Sequence, residues 1–442
     1  MPRVLIVTYY FPPAGGPGVQ RALGFVRHLP SFGWDPVILT VQDGTFFNRD
    51  ERGLDLVPPT VPVYRARAIE PFGFYNRLRG RPVHEAVPVG HVGQTAAPGL
   101  LARIAGFVRA NLFIPDARIG WVPFARRAAE RIIRQGGIDA ILTSSPPHSV
   151  HLIGRGVARR TKLPWVADFR DPWTKIYYNA DLPRIGLARR VDEHLEQSCV
   201  RRATRIATVN ELVRDSLGPE AAGATVVRNG YEEEDFRGEV AAIRDRFALV
   251  YVGNLIAQED TSTLFRVLGE MAAADAGLRE ALRLVFVGRI HGGVRSELER
   301  HGLADRADFV GFVPHGEAIA WVRRATVLLF VGVENLISAK IFEYAASGRP
   351  ILALAPIGGD IDRLLRDVGA PGVIEHGDAA GIRERFAQLF RAWRQNGLSG
   401  RPPMTGAEQL SRRGQTERMA ALLDEALAAH RALPEAPRRG YT

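Results

Sequence analysis

Short apolar runs alternate with longer amphipathic stretches along most of the chain, the pattern of parallel sheets covered by helices. The first run, residues 3–8, reads as a buried strand that passes through a loop carrying Gly15, Gly16 and Gly18 into a helix ending near Leu29. Residues 36–40, 140–144, 165–168 and 205–209 continue this series of strands. A second series opens at 225–228 and runs through 248–253, 284–288, 309–312, 327–331 and 350–354. Two complete strand–helix sets predict an α/β chain of two doubly wound, Rossmann-like domains facing a cleft. The expected divisions are 1–222, with a flexible insert at about 66–120, then 223–405, then a C-terminal helix and tail over 406–442.

The insert breaks the pattern. Residues 80–99 are rich in Gly, Pro and Ala and read as a mobile loop. They run into 100–114, where Leu101, Ile104, Phe107, Val108 and Leu112 recur at helical spacing beside Arg103 and Arg109. Two readings fit that stripe: a helix lying on an anionic membrane surface, or a helix packed on the first sheet.

Composition narrows the classes. The 442 residues are 46% hydrophobic and 24% charged, values of a globular protein. Cys199 is the only cysteine, so an intramolecular disulfide and a thiolate zinc site are both excluded, which fits a reducing cytoplasm. No segment approaches the roughly 20 uncharged apolar residues that span a bilayer. The apolar start, 4–10, is too short for a signal-peptide core. The net charge is +10, yet only Lys162, Lys175 and Lys340 among the 58 basic residues are lysines. No helix-turn-helix, zinc-finger or RNA-binding pattern accompanies the charge, so the expected anionic partners are phospholipids, pyrophosphates or nucleotides rather than nucleic acid.

In open parallel sheets ligands bind beyond the C-terminal ends of strands. Two stretches there carry candidate chemistry. Pro12-Pro13-Ala14-Gly15-Gly16-Pro17-Gly18 follows the first strand and precedes a helix, so its amides can approach a phosphate closely. It is neither the dinucleotide fingerprint nor a P-loop. The second, 334–350, holds Ser338-Ala339-Lys340-Ile341-Phe342-Glu343-Tyr344 and ends on Gly348-Arg349-Pro350. Ser338 suits an N-cap and Gly348 a C-terminal cap, giving a short helix. Lys340 sits in its first turn, and Glu343, three residues on, shares its face. A cation opposes the helix dipole there, which favours ligand binding: a cation for a pyrophosphate and a carboxylate for ribose hydroxyls are what a nucleoside diphosphate requires.

With these segments in order, the chain resembles the retaining GT-B glycosyltransferases of family 4. Gly15-Gly16 is similar to the family's N-terminal glycine loop. Val227-Arg228-Asn229-Gly230 with Phe236 resembles the segment opening its donor domain, and Tyr251-Val252-Gly253 and Val285-Phe286-Val287-Gly288 resemble its strand-ending glycines. Phe309-Val310-Gly311-Phe312-Val313 looks like the segment that meets the nucleotide base, and 340–350 like the "K-x-F-E-Y-x-A-S-G-x-P" signature. Ser144-Ser145-Pro146-Pro147-His148, Asp168-Phe169-Arg170-Asp171-Pro172-Trp173, Ile114-Pro115-Asp116 and Trp121 resemble a subgroup concerned with bacterial surface polysaccharides.

The resemblance implies that Glu343 holds the ribose, while Lys340 and the amides at Ser338 and Ala339 hold the diphosphate. Gly253, Asn254, Gly288, Arg289, Phe312, Val313, Gly358 and Gly359 would line the rest of the donor site with Gly15 and Gly16. Catalytic contributions fall to Lys340, Arg170, Asp171 and His148, with His148, Asp168, Arg170 and Asp171 as alternatives for the residue facing the reacting sugar. Family members usually need no metal and no cofactor beyond the nucleotide-sugar substrate, and the C-terminal helix returns to the N-terminal domain.

Departures from the pattern stand at Asn335, with Glu334 beside it, where the family carries its first signature glutamate. Asn254 and Glu259 stand where it commonly presents Arg and Lys. Some diphosphate charge then falls to Lys340, Arg289 or Arg170. Asp360-Ile361-Asp362 matches the metal-holding D-x-D, but after two glycines at a helix start Asp360 reads as an N-cap.

The expected activity is transfer of a sugar from an NDP-sugar, a UDP-sugar first, to a saccharide acceptor that the basic stretch at 100–114 would meet on a lipid at the inner membrane face. A nucleotide-sugar epimerase of the same architecture and a catalytically silent binding protein are the alternatives.

Overall fold

A computed structural model describes residues 1–46, 49–69, 100–176, 179, 182–333, 338–397 and 404–432. The loop foreseen at 80–99, and the departure at Glu334 and Asn335, lie outside the described residues.

The chain forms two units, 1–228 with 415–442, and 229–414. The first is built on a seven-stranded sheet. Its strands are β1 (Arg3–Thr8), β2 (Asp35–Val41), β3 (Val63–Ala66), β4 (Ala140–Ser144), β5 (Trp165–Phe169), β6 (Arg205–Thr208) and β7 (Thr225–Val226). They lie in the order β3-β2-β1-β4-β5-β6-β7, every pair parallel. The second holds β8 (Phe247–Val252), β9 (Leu282–Val287), β10 (Ala307–Gly311), β11 (Val327–Val331) and β12 (Ile351–Leu354). Their order is β10-β9-β8-β11-β12, again all parallel.

Central strands are buried over nearly their whole length, because helices covering both faces of a parallel sheet leave neither face to water. This is why they read as unbroken apolar runs rather than alternating ones. At the edge, β10 exposes Asp308 and Val310 in alternation. In each sheet the strand order reverses once, between β1 and β4 and between β8 and β11, and such reversals open a crevice at the strands' C-terminal ends.

Three boundaries differ from the sequence reading. Residues 225–226, read as the start of the second domain, pair with β6 through Ala207↔Thr225 and close the first sheet, so the division falls at 228/229 rather than 222/223. The strand β3 lies where the insert was thought to begin at 66. The C-terminal helix is Arg412–Arg431, and its residues from Gln415 onward belong to the first unit. Leu422, Leu423 and Ala426 are buried in that unit's core, and Asp424 accepts a 2.9 Å bond from Trp34 Nε1.

Candidate functional site

Three of the second unit's strands run out into glycines with positive φ: Gly253 after β8, Gly288 after β9, and Gly311 closing β10. Gly253 N bonds Val287 O at 2.8 Å and Gly288 N bonds Gly311 O at 2.7 Å, so the three stand side by side. A Cβ on Gly288 would lie 2.2 Å from Gly253 O. The sheet's C-terminal edge is thus kept bare from β10 across to β8, the strand bordering the reversal, and a phosphate or sugar can approach the backbone there.

The helix Lys340–Ser347 follows β11 at this edge. Ile341, Phe342, Tyr344, Ala345 and Ala346 are its buried face, while Lys340, Glu343 and Ser347 share the other. Tyr344 pins it: its hydroxyl accepts a bond from Val252 N at 2.9 Å at the end of β8. The N-cap is Ala339, with helical dihedrals and no side-chain cap, rather than Ser338. Ser338 instead supplies its carbonyl to Ile341 N at 3.2 Å, so the first amides lack a side-chain acceptor. Gly348 closes the helix at φ 65°, as the turn requires.

Lys340 lies against Gly253, within 3.5 Å of where its Cβ would be. Its Nζ stands 4.1 Å over the Tyr251 ring, donates to the Tyr251 hydroxyl and faces Glu259 Oε1 at 3.7 Å. Burial pulls its pKa down to about 8, against the pull of Glu259. One turn on, Glu343 makes neither a hydrogen bond nor an ion pair among the described residues. Burial raises its pKa, offset in part by His315 and Arg412. Those two are themselves engaged, His315 with Asp235 at 2.9 Å and Arg412 with Glu232 at 3.2 Å. A mostly buried carboxylate with no donor of its own is an acceptor waiting for one.

On the β9–β10 side Arg289 lies over the ring of Phe312, 6.0 Å from its centroid, and Phe312 is 79% exposed. Val313 packs against the core beside it. This exposed cation–aromatic pair offers a flat face to a base. Asn254 is exposed, and its carbonyl accepts from Tyr251 at 2.7 Å. Gly358 turns at φ 74° and Gly359 is the N-cap of helix Asp360–Asp367. Asp360 is therefore not the N-cap; it pairs with Arg363 in the first turn. Asp362 accepts from Gly358 N at 3.0 Å, Val373 N at 3.1 Å and Arg366. With both acids in its first turn, this helix end is poorer for a phosphate than that of Lys340–Ser347.

In the first unit, Gly16 at φ 108° is the uncapped N-cap of helix Pro17–His28, which has no acid in its first turn, and Gly15 precedes it. Arg170 braces this loop to the next one: it donates to Gly18 O at 2.7 Å, Pro146 O at 3.3 Å and Ser145 O. Its guanidinium is buried and committed to carbonyls, so it is a brace rather than a free charge for a diphosphate. Asp168 is likewise consumed by Arg21, at 2.7 and 2.9 Å, and by Ser144 at 2.7 Å. Asp171 keeps a free carboxylate among the described residues; burial raises its pKa and Arg170 lowers it. His148 is buried and stacked on Trp173 at 5.1 Å. Burial pulls its pKa to about 3, against the backbone at Pro172 and with the Arg170 charge adding to the fall, and neither ring nitrogen completes a hydrogen bond among the described residues. It is a neutral imidazole.

The stretch at 100–114 forms helix Leu100–Leu112. The part of its apolar stripe that is described is exposed: Phe107, Val108 and Leu112, with Ile114, Ile185, Leu187, Ala188 and Val191, line a groove of about 370 Å³. The second wall is helix Gly186–Val200. Arg184 ties the two walls, donating to Ala110 O and Pro115 O and pairing with Asp192. The side chains of Leu101, Arg103 and Ile104 lie outside the described residues.

Tyr251, Tyr344, Glu259, His315 and Asp235 were not singled out for roles around Lys340 and Glu343. Local periodicity carries no such signal, since they converge from separate strands and loops.

Two Rossmann-like α/β units, each with a strand-order reversal, define a fold of the GT-B type. A family model described as "Glycosyl transferase 4-like domain" matches residues 15–230, and one described as "Glycosyl transferases group 1" matches 246–392. The chain belongs to the GT4-type, GT-B glycosyltransferases. Over 178 residues it is 29% identical to D-inositol 3-phosphate glycosyltransferase of Acidothermus cellulolyticus, covering 37% of this chain and 39% of that protein. The match therefore spans about two fifths of the relative's length. Among solved structures, sucrose-phosphate synthase from Thermosynechococcus elongatus superposes with a TM-score of 0.59 at 13% identity, covering 97% of this chain and 100% of that one. Anabaena HepE in complex with UDP gives 0.55 at 12%, covering 98% of each. At these identities the structures share the fold.

Proposed function

We propose that the protein transfers a sugar, with retention, from a UDP-sugar to a saccharide acceptor carried on a lipid, in the synthesis of a cell-surface polysaccharide or glycoconjugate. The observation that carries this reading is Glu343: a mostly buried carboxylate, unpartnered among the described residues, on the same helix face as Lys340 and beside glycine-cleared strand ends. A ribose diol supplies the donors that Glu343 lacks. The diphosphate meets the Lys340 ammonium and the helix's first amides, whose fixed dipoles stabilise the charge that develops as the nucleotide leaves. The Arg289–Phe312 pair takes the base. The HepE structure contains UDP, which supports uracil as the first base to try.

In this reading no metal takes part: Asp360 pairs with Arg363, Asp362 accepts from Gly358 N, Val373 N and Arg366, and Lys340 supplies the cation. The leaving phosphate accepts the acceptor's proton. Of the candidates Asp168, Arg170, Asp171 and His148, Asp171 alone keeps a free carboxylate among the described residues and is the one to orient the sugar, whereas His148 and Arg170 hold the loops. The acceptor's lipid is met at the inner membrane face by the apolar groove, flanked by exposed Arg189 and Arg190.

The test is UDP binding by calorimetry together with transfer from a UDP-sugar panel. Glu343→Ala is expected to weaken UDP binding about 10- to 100-fold, the loss of a charged hydrogen-bonding partner, and Lys340→Ala to depress kcat. Unchanged UDP affinity in Glu343→Ala would sink the assignment, and UDP binding without turnover across the panel would favour a silent binding protein.

A further inference from the structure

The loop after β8 has an acid, Glu259, at the position where the family resemblance leads one to expect a lysine. Glu259 is 8% exposed; its Oε2 accepts from Ile256 N at 3.0 Å and shares with the Asn254 carbonyl the single proton of the Tyr251 hydroxyl, 3.2 Å away. Those two bonds fix the carboxylate and turn Oε1 toward Lys340 Nζ, 3.7 Å away. The other groups around the ammonium come from three elements. Tyr251 lies on β8 and Phe330, 5.8 Å off, on β11. From its own helix come Tyr344, bonded to Val252, and Glu343 one turn on.

We propose that Glu259 is a positioning residue for the donor site: it holds the Lys340 ammonium charged and in place against Gly253, so that the cation stands ready for the diphosphate. This rests on the donor-site reading above. An ammonium lodged against aromatic rings is pushed toward its neutral form by desolvation, and a neighbouring carboxylate opposes that push. Lys340 shows both effects: burial brings it down to about 8, and Glu259 is what holds it up. Without the carboxylate, the proton would leave at still lower pH and the phosphate site would keep only its amides.

The chain contains three lysines, so ε-13C-lysine labelling of the full-length protein gives a spectrum in which Lys340 is identified by its loss in Lys340→Ala. The midpoint of the Lys340 signal is expected to fall by about one pH unit or more in Glu259→Gln. The alkaline limb of kcat/KM should move down with it. Glu259→Asp, which keeps the charge, is expected to restore most of both and to show that the Gln effect is not a folding loss. A Lys340 midpoint unmoved in folded Glu259→Gln overturns the proposal. A midpoint that falls while added UDP leaves the Lys340 signal unchanged upholds the Glu259–Lys340 pair and overturns the donor-site reading instead.

Discussion

Gly288 and Glu343 show how a single residue type can be fixed by opposite demands. Gly288 is required for what it lacks. Its φ of 121° is one that side-chain-bearing residues rarely adopt, and a Cβ would strike the Gly253 carbonyl oxygen at 2.2 Å. Gly288→Ala is expected to destabilise the second unit by about 2–4 kcal/mol through strain and backbone displacement. Urea unfolding measures this, and a loss below about 0.5 kcal/mol would show that the strand ends yield easily. Glu343, in the proposed donor site, would count for a charge whose nearest cations, His315 and Arg412, are engaged with Asp235 and Glu232. A site built on such a residue keeps the cost of an unsatisfied acceptor in the empty protein and recovers it on binding.

Among the elements, the helix Lys340–Ser347 acts as a unit because one face is anchored. With Tyr344 bonded to Val252 and five residues buried, Lys340 and Glu343 are presented from a rigid support. The helices Leu100–Leu112 and Gly186–Val200 carry the reverse arrangement: apolar side chains directed outward. Leu112 is 73% exposed and Leu187 68%, with exposed Arg189 and Arg190 on the same segment as Leu187. Apolar burial together with attraction to anionic headgroups is the usual logic of a surface-bound helix. The full-length protein is expected to float with vesicles containing anionic lipid. Leu112→Asp with Leu187→Asp should abolish flotation while leaving transfer to a soluble acceptor intact. Flotation unaffected by the double variant would rule out the groove as the contact.

At the scale of the whole molecule, the C-terminal helix makes the first unit discontinuous in sequence. Met419, Leu422, Leu423 and Ala426 complete that unit's core, and Trp34 and Arg205 bond to Asp424 and Glu425. A chain ending at Gly414 loses this burial, on the order of 5 kcal/mol or more. It is expected to unfold at markedly lower temperature than the full chain in a thermal melt. An unchanged melting profile would mean that the first unit is complete without the helix.

The chain's own pattern determined the two parallel sheets, because continuous apolar runs between amphipathic stretches can be buried only with helices on both faces. It also determined the helix at Lys340 and the strand-ending glycines, since charge spacing and glycine punctuation are local, although the N-caps fell at Ala339 and Gly359 rather than at Ser338 and Asp360. Thr225–Val226 was misassigned because a two-residue strand has no period, and its sheet is chosen by the neighbour it pairs with. The fates of the polar residues were decided only in three dimensions. Arg170 and Asp168 read like Asp171 in sequence, but carbonyls and Arg21, distant along the chain, claim the first two and leave the third. His148 became a neutral stacked ring because Trp173 and the surrounding core exclude water from it. Glu259, a missing cation in the sequence, became the partner of Lys340. Ionisation and availability depend on burial and on groups far along the chain, and these are set by tertiary contact.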